Sequence, residues 1–283
     1  MNVGQAVIVV GAFDGPRGRM PGVAYLPQNI EKIQSLRFRI VGGPNQQVAE
    51  FGSAEHDLDI RNVSRGIATI RPAYLGTYLR SLHPQSSVEP AAVELSAYYE
   101  WLRTRFASKP MTVMADSAGS VVFAKMTGTA RSGPVVLLAP IMKTPRASLS
   151  AILSQKDPYG LHRSYQLVRA YKWDGQNLLF VQAHSFPGQE IFRAFFGDHM
   201  DMEVADEIGR VRSICPVLIY GSDDDRAGVQ WADAFAARVG AKHVWKIDGM
   251  GHSTISPKQM ATIDDSITKS LKNCRSPSVS NAS

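Results

Sequence analysis

The chain has 283 residues, 44% hydrophobic and 20% charged, with a formal net charge of +6. That length holds one large α/β domain or two small ones, and the composition is that of an ordinary soluble globular protein. Its positive charges are scattered, so nothing resembles a nucleic-acid footprint, and no apolar stretch approaches a membrane-spanning length.

The opening Met1-Asn-Val-Gly-Gln5 lacks the basic region of a secretory signal, and the apolar run after it is too short for one. Of the two cysteines, Cys215 adjoins a predicted core strand and Cys274 lies in a polar tail. They are expected to stay apart. Nothing then demands an oxidising compartment, and a cytoplasmic protein is expected.

Ala6 to Val10 is short, apolar and β-branched, and reads as a central strand. It runs into the glycine-rich Gly11-Ala-Phe-Asp-Gly15-Pro-Arg-Gly18. Such a loop either offers backbone N–H groups to an oxyanion or cradles a dinucleotide phosphate. The glycine spacing does not match G-x-G-x-x-G, and Pro16 removes one N–H. Pro27 to Leu36 reads as a helix, Leu36 to Val41 as a strand, Gln46 to Gly52 as a short helix and Ser64 to Ile70 as another strand. A turn-rich loop, Arg71 to Thr77, follows. Val93, Leu95, Tyr98, Tyr99, Leu102 and Phe106 recur at helical spacing within Pro90 to Phe106.

Met111 to Met114 reads as a buried strand, and Val121 to Ala124 as the start of a helix. Between them stands Ala115-Asp-Ser-Ala-Gly119. A serine at the centre of a small-residue strand-to-helix turn projects its hydroxyl clear of the sheet, and bulky groups two positions away on either side would collide there. The alternative for Ser117 is an ordinary cap of the helix. Val135 to Leu138 is the next strand. From Ile141 to Arg210 the strand rhythm stops, and the segment is rich in aromatic residues and methionine. It reads as helical and irregular, a candidate cap, with Phe192 and Phe195 as residues that would select the substrate. Pro216 to Tyr220 resumes the strand pattern and leads into Gly221-Ser-Asp-Asp-Asp225. Ala227 to Val239 is a helix. His243 to Ile247 is the last strand, followed by Asp248-Gly-Met-Gly-His252. Ile255 to Leu271 is a terminal amphipathic helix. Strands alternating with helices at these lengths predict a mostly parallel sheet with helices on both faces. The expected organisation is a core of residues 1–140 and 211–272, a cap of 141–210 and a flexible tail of 273–283.

Ser117 thus follows one strand, an acidic cluster a later one and His252 the last, in the order Ser, Asp, His. A serine hydroxyl becomes a useful nucleophile when an imidazole takes its proton, and the imidazole needs a carboxylate to hold it. On Ala115-Asp-Ser-Ala-Gly119, Pro216-Val-Leu-Ile-Tyr-Gly-Ser-Asp-Asp224 and Gly249-Met-Gly-His252, the sequence resembles the α/β-hydrolase superfamily over nearly its whole length. The resemblance implies that Ser117 is the nucleophile, His252 the base and Asp224 the acid, with Asp223 and Asp225 as rivals. It also implies an oxyanion hole from the backbone N–H of Ala118 and of Ala12 or Phe13.

Two features depart from the family pattern. Ala115 replaces the first glycine of G-x-S-x-G, and the loop after the first strand lacks the usual His-Gly. The strand from Leu36 to Val41 looks like an insertion, and the antiparallel strands that often open this fold look missing or displaced. The expected activity is cleavage of an ester or thioester of a small, partly apolar substrate, which a carrier could present as a thioester. An acyltransferase and a non-catalytic ligand-binding scaffold are the alternatives. A nucleotide-dependent oxidoreductase would need a Tyr-x-x-x-Lys pair, and the chain lacks one. Neither a cofactor nor a metal is expected, since no His, Cys and carboxylate set has ligand spacing.

Overall fold

A computed structural model describes residues 2–3, 6–15, 18–42, 53–74, 88–154, 165–173, 178–211, 214–252 and 255–274. The expected helix of Gln46 to Gly52, residues 75–77 of the following loop and the tail beyond Cys274 lie outside these residues.

In chain order the elements are β1 (Asn2–Val3), β2 (Ala6–Gly15), β3 (Gly18–Pro27), β4 (Ser35–Ile40), α1 (Ala54–Ser64), β5 (Ile67–Pro72), α2 (Val88–Arg105), β6 (Met111–Asp116), α3 (Gly119–Lys125) and β7 (Gly133–Leu138). Then come α4 (Pro145–Ser154), β8 (Tyr165–Trp173), β9 (Leu178–Pro187), α5 (Gly188–Phe196), α6 (Val204–Gly209), β10 (Ile214–Gly221), α7 (Ala232–Val239), β11 (His243–Ile247) and α8 (Pro257–Asn273). Among the described residues one sheet has the order β1-β2-β3-β5-β4-β6-β7-β10-β11. It is parallel from β5 to β11 and antiparallel from β1 to β5. No helix among these residues is long and apolar enough to cross a membrane.

The period-two pattern of the strands divides the core. Val113, Ala115, Val135, Leu137 and Leu218 face the layer of α2, α3 and α7. Met114, Val136, Leu138, Val217 and Ile219 face α8 through Met260, Ile263 and Ile267. β6, β7 and β10 are therefore apolar on both faces, as parallel strands between two helical layers are. Ser256 caps α8 in a reciprocal box with Gln259, and Pro257 opens its first turn.

The amino-terminal region differs from expectation. Ala6 to Val10 belongs to β2, close to one edge of the sheet, and the glycine-rich stretch is hairpin: β2 pairs with β3 from Ala6–Pro27 to Gly15–Gly18. The antiparallel strands that looked missing are these. Pro27 to Leu36 is not a helix; β3 ends at Pro27 and one 3-10 turn, Ile30–Lys32, leads into β4. Pairing with β3 turns this apolar, Gly-rich segment into strand, which its own turn signals obscured. Nor is β4 an insertion: it lies between β5 and β6 in the parallel part of the sheet.

The segment after Pro140 is not wholly helical either. Alongside α4, α5 and α6 it contains the antiparallel β8–β9 hairpin. Within it Phe195 and Phe196 are buried and in contact, with ring centroids 4.9 Å apart.

The cysteines are the other correction. Cys215 and Cys274 are joined in a disulfide with Cα atoms 5.8 Å apart. Cys274 is the C-cap of α8 rather than part of a loose tail. α8 packs back on β10 and delivers its end to the start of that strand, which linear distance conceals. With the cysteines joined, they no longer point to a cytoplasmic protein.

Candidate active site

β6 ends at Asp116 and α3 begins at Gly119, leaving Ser117 and Ala118 to make the turn. Ser117 has φ 48°, a left-handed conformation that costs a residue with a Cβ about 1–2 kcal/mol. The surroundings hold it there. Its N–H donates to the Leu138 carbonyl at 2.9 Å, and its carbonyl accepts from the Ser120 N–H at 3.0 Å and the Ser120 hydroxyl at 2.6 Å. A Cβ at Gly119 would run into the carbonyl oxygen of Ile40, so the small residue expected at that position is obligatory.

The loops after β10 and β11 bring two further groups to this turn. Ser117 Oγ lies 2.7 Å from His252 Nε2. His252 Nδ1 lies 2.8 Å and 2.9 Å from the two carboxylate oxygens of Asp224. The Asp224 side chain is fully buried, and its Oδ1 also accepts the N–H groups of Arg226 (3.0 Å) and Ala227 (2.9 Å). A carboxylate anchored this way fixes the imidazole with Nδ1 as donor, leaving Nε2 to accept the serine proton. Of the rivals, Asp223 is exposed and accepts the Ser222 hydroxyl at 2.7 Å. The two loops are stitched to each other: Ser222 N–H donates to Ile247, Asp223 N–H to Met250, and Gly249 N–H to the Ser222 hydroxyl. A Cβ on Gly221 would overlap the Met250 carbonyl, so glycine is needed where they cross. His199 is elsewhere, 3.4 Å from Glu89.

Ala12 and Phe13 do not join this group. They pair with Pro21 and Met20 inside the β2–β3 hairpin, and β3, β5 and β4 separate their strand from β6. The segment beside Ser117 is the one leaving β4: a Cβ on Gly42 would lie 3.1 Å from Ser117 Cβ and 3.6 Å from its Oγ. Buried Tyr74 fixes this segment by donating its hydroxyl to the Val41 carbonyl at 2.5 Å. The glycine pair that ends this strand, in Val41-Gly42-Gly43-Pro44, is the signal that the sequence reading missed.

Behind the turn lies a charged layer that the sequence reading missed. Arg37, Arg39, Thr69 and Arg71 are buried. Asp59 on α1 accepts from Thr69 at 3.0 Å and from Arg71 Nε at 2.8 Å. Arg39 Nε donates to Asp116 Oδ2 at 2.6 Å, and its Nη2 lies 2.8 Å from Glu55 Oε2. Burial opposes the Arg39 charge, but Asp116, Glu55 and Asp59 outweigh it and hold the guanidinium above its usual range. Burial pushes the Asp116 carboxyl up to about 6 against the pull of Arg39. The alternation Leu36-Arg-Phe-Arg-Ile40 was the available signal; read alone, it describes a strand with one solvated face.

No protein-family model matches the sequence, and no curated protein matches it. Solved structures do resemble it. Carboxyl esterase 2 of the mycorrhizal fungus Tuber melanosporum is 15% identical with a TM-score of 0.59, over 97% of this chain and 90% of that one. A soluble variant of monoglyceride lipase from Saccharomyces cerevisiae is 13% identical with a TM-score of 0.62, over 98% of each chain. The acylaminoacyl peptidase of Pyrococcus horikoshii is 11% identical with a TM-score of 0.64; the match takes in 100% of this chain but 44% of the peptidase. The chain therefore has the α/β-hydrolase fold.

Proposed function

We propose that the protein is a serine hydrolase that cleaves an ester of a small, partly apolar substrate through a covalent acyl-enzyme. The observation that carries this reading is the continuous relay from Ser117 Oγ through His252 to the buried Asp224 carboxylate, with Ser117 held at positive φ. In this mechanism His252 Nε2 takes the Ser117 proton as Oγ attacks the acyl carbon. Asp224 stabilises the imidazolium that forms. The imidazolium returns its proton to the leaving alcohol, and a water activated by the same nitrogen releases the acid. The developing oxyanion would be met by the N–H of Ala118 and by the backbone leaving β4 at Val41 and Gly42. Thioester cleavage and acyl transfer would use the same groups, and acceptor competition assays tell them apart.

The segment from 141 to 210 is read as a cap that shapes substrate choice and includes the β8–β9 hairpin. The buried Phe195 is better placed to hold the cap's own packing than to touch substrate. Removing the hairpin should change the ratio of short-chain to long-chain ester turnover; equal effects on both would refute the cap reading. The disulfide fits an oxidising compartment, and alkylation of the native protein followed by mass spectrometry would test that. For the catalytic reading, a fluorophosphonate should label the parent protein, and Ser117→Ala should abolish labelling and lower turnover by about three to six orders of magnitude. Equal labelling of both proteins would overturn it.

A further inference from the structure

We infer that Arg39 and Asp116 are positioning residues whose buried ion pair ties the nucleophile turn to the strand end that supplies the second oxyanion donor. The inference rests on the hydrolase reading above and concerns how that site keeps its geometry. β4 and β6 are neighbours in parallel register, and their last paired residues are Ile40 and Ala115. Beyond that pair the ladder no longer fixes one strand end against the other. The two backbones that must cooperate, at Gly42 and at Ser117, both lie beyond it. The Arg39–Asp116 pair spans this boundary at 2.6 Å, from the residue before Ile40 to the residue before Ser117.

The guanidinium is itself braced. The Arg39 side chain is 1% exposed, and its far nitrogen meets Glu55 on α1. Tyr74 grips the same loop from the opposite end through the Val41 carbonyl. Burying two charges costs desolvation that their attraction only partly recovers, so such a pair contributes little as a stabiliser compared with apolar packing. It does fix direction: Nε of Arg39 and one oxygen of Asp116 meet in a single orientation, and Asp116 is covalently next to the nucleophile. The pair also neutralises a carboxylate beside the place where an oxyanion forms. Without Arg39, the Asp116 carboxyl would lose the partner that holds both its charge and its orientation.

The test compares Arg39→Met, Asp116→Asn, Tyr74→Phe and the double variant Arg39→Met/Asp116→Asn. Three readouts are taken below the melting temperature of each: the rate constant for fluorophosphonate labelling, kcat and KM for a p-nitrophenyl acetate series, and hydrogen exchange at the amides of Ser117 to Ser120. Arg39→Met should slow labelling and lower kcat by about 10–100-fold while leaving KM within about threefold, because a sub-ångström misplacement of the reacting groups acts on the transition state. Asp116→Asn and Tyr74→Phe should each cost less. The double variant should be no slower than Arg39→Met, since the two residues act through one shared contact. Exchange at Ser117 to Ser120 should quicken in Arg39→Met. If every variant that folds labels at the parent rate, or exchange at the turn is unchanged in Arg39→Met, the inference is wrong. The exchange readout needs no catalysis. A parent that no fluorophosphonate labels would therefore overturn the hydrolase reading, and the exchange rates would still decide whether Arg39 holds the turn.

Discussion

The disulfide yields the prediction most open to arithmetic. Cys215 and Cys274 are 59 residues apart in sequence, and the loop they close contains all of β10 but Ile214, α7, β11, the whole of α8, Asp224 and His252. In the unfolded chain, losing the cross-link restores the freedom of that loop. For 59 residues the chain-entropy relation gives about 14 cal/mol/K, or about 4 kcal/mol near room temperature. An unfolding entropy of about 2.1 cal/mol/K per residue over 283 residues comes to roughly 0.6 kcal/mol/K, so the expected fall in Tm is about 7 °C. The perturbation is the double substitution Cys215→Ser/Cys274→Ser, with reduction of the parent by a phosphine as an independent route. Thermal unfolding followed by circular dichroism reads the effect. The native contacts around Asp224 and His252 do not involve the sulfur atoms, so turnover well below the transition should stay within about twofold. A Tm change under about 2 °C by both routes would refute the entropic reasoning. A large loss of turnover in protein that remains folded would show that the cross-link shapes the site rather than the unfolded state.

Other outcomes follow from single contacts. Asp224→Asn should lower turnover by about three to four orders of magnitude, because the amide favours the wrong imidazole tautomer; Asp223→Asn should leave it nearly unchanged, and similar losses at both would contradict the assignment. Phe195→Ala removes a ring that is 2% exposed and should cost about 3–5 kcal/mol of stability in denaturant titrations; a loss under about 1 kcal/mol would mean that the ring is not part of the core. The Asp116 carboxyl, raised by burial to about 6, takes up its proton in the folded protein before it does in the unfolded chain. Its contribution therefore makes stability fall as pH rises from about 4 to 6. Asp116→Asn should flatten Tm against pH in that window, and an unchanged slope would argue against the shift.

Several features were legible in the residues alone. The short apolar runs that became β6, β7, β10 and β11 are continuous because each is covered on both faces, and that pattern announces a parallel sheet between helices. The small residues around Ser117 follow from the close approach of β4 to the turn, and Gly221 at the end of β10 from the crossing of two loops. These are local steric demands, so local sequence records them. Order along the chain then put Ser117, Asp224 and His252 after the carboxyl ends of β6, β10 and β11.

What the sequence left open depended on partners distant in the chain. The glycine-rich stretch after Val10 was expected beside Ser117, and strand order gives that place to the end of β4 instead: β4 neighbours β6, whereas β2 is an outlying antiparallel strand. Strand order is set by how the whole sheet packs, and residues 11–18 and 41–44 carry no local mark of it. Arg37 and Arg39 alternate with apolar residues as a solvated strand face would, and they became buried because α1 brings Asp59 and Glu55 over them. The cysteines share the same cause. Their bond exists because α8 folds back along β10, a contact between elements that no spacing in the linear chain encodes.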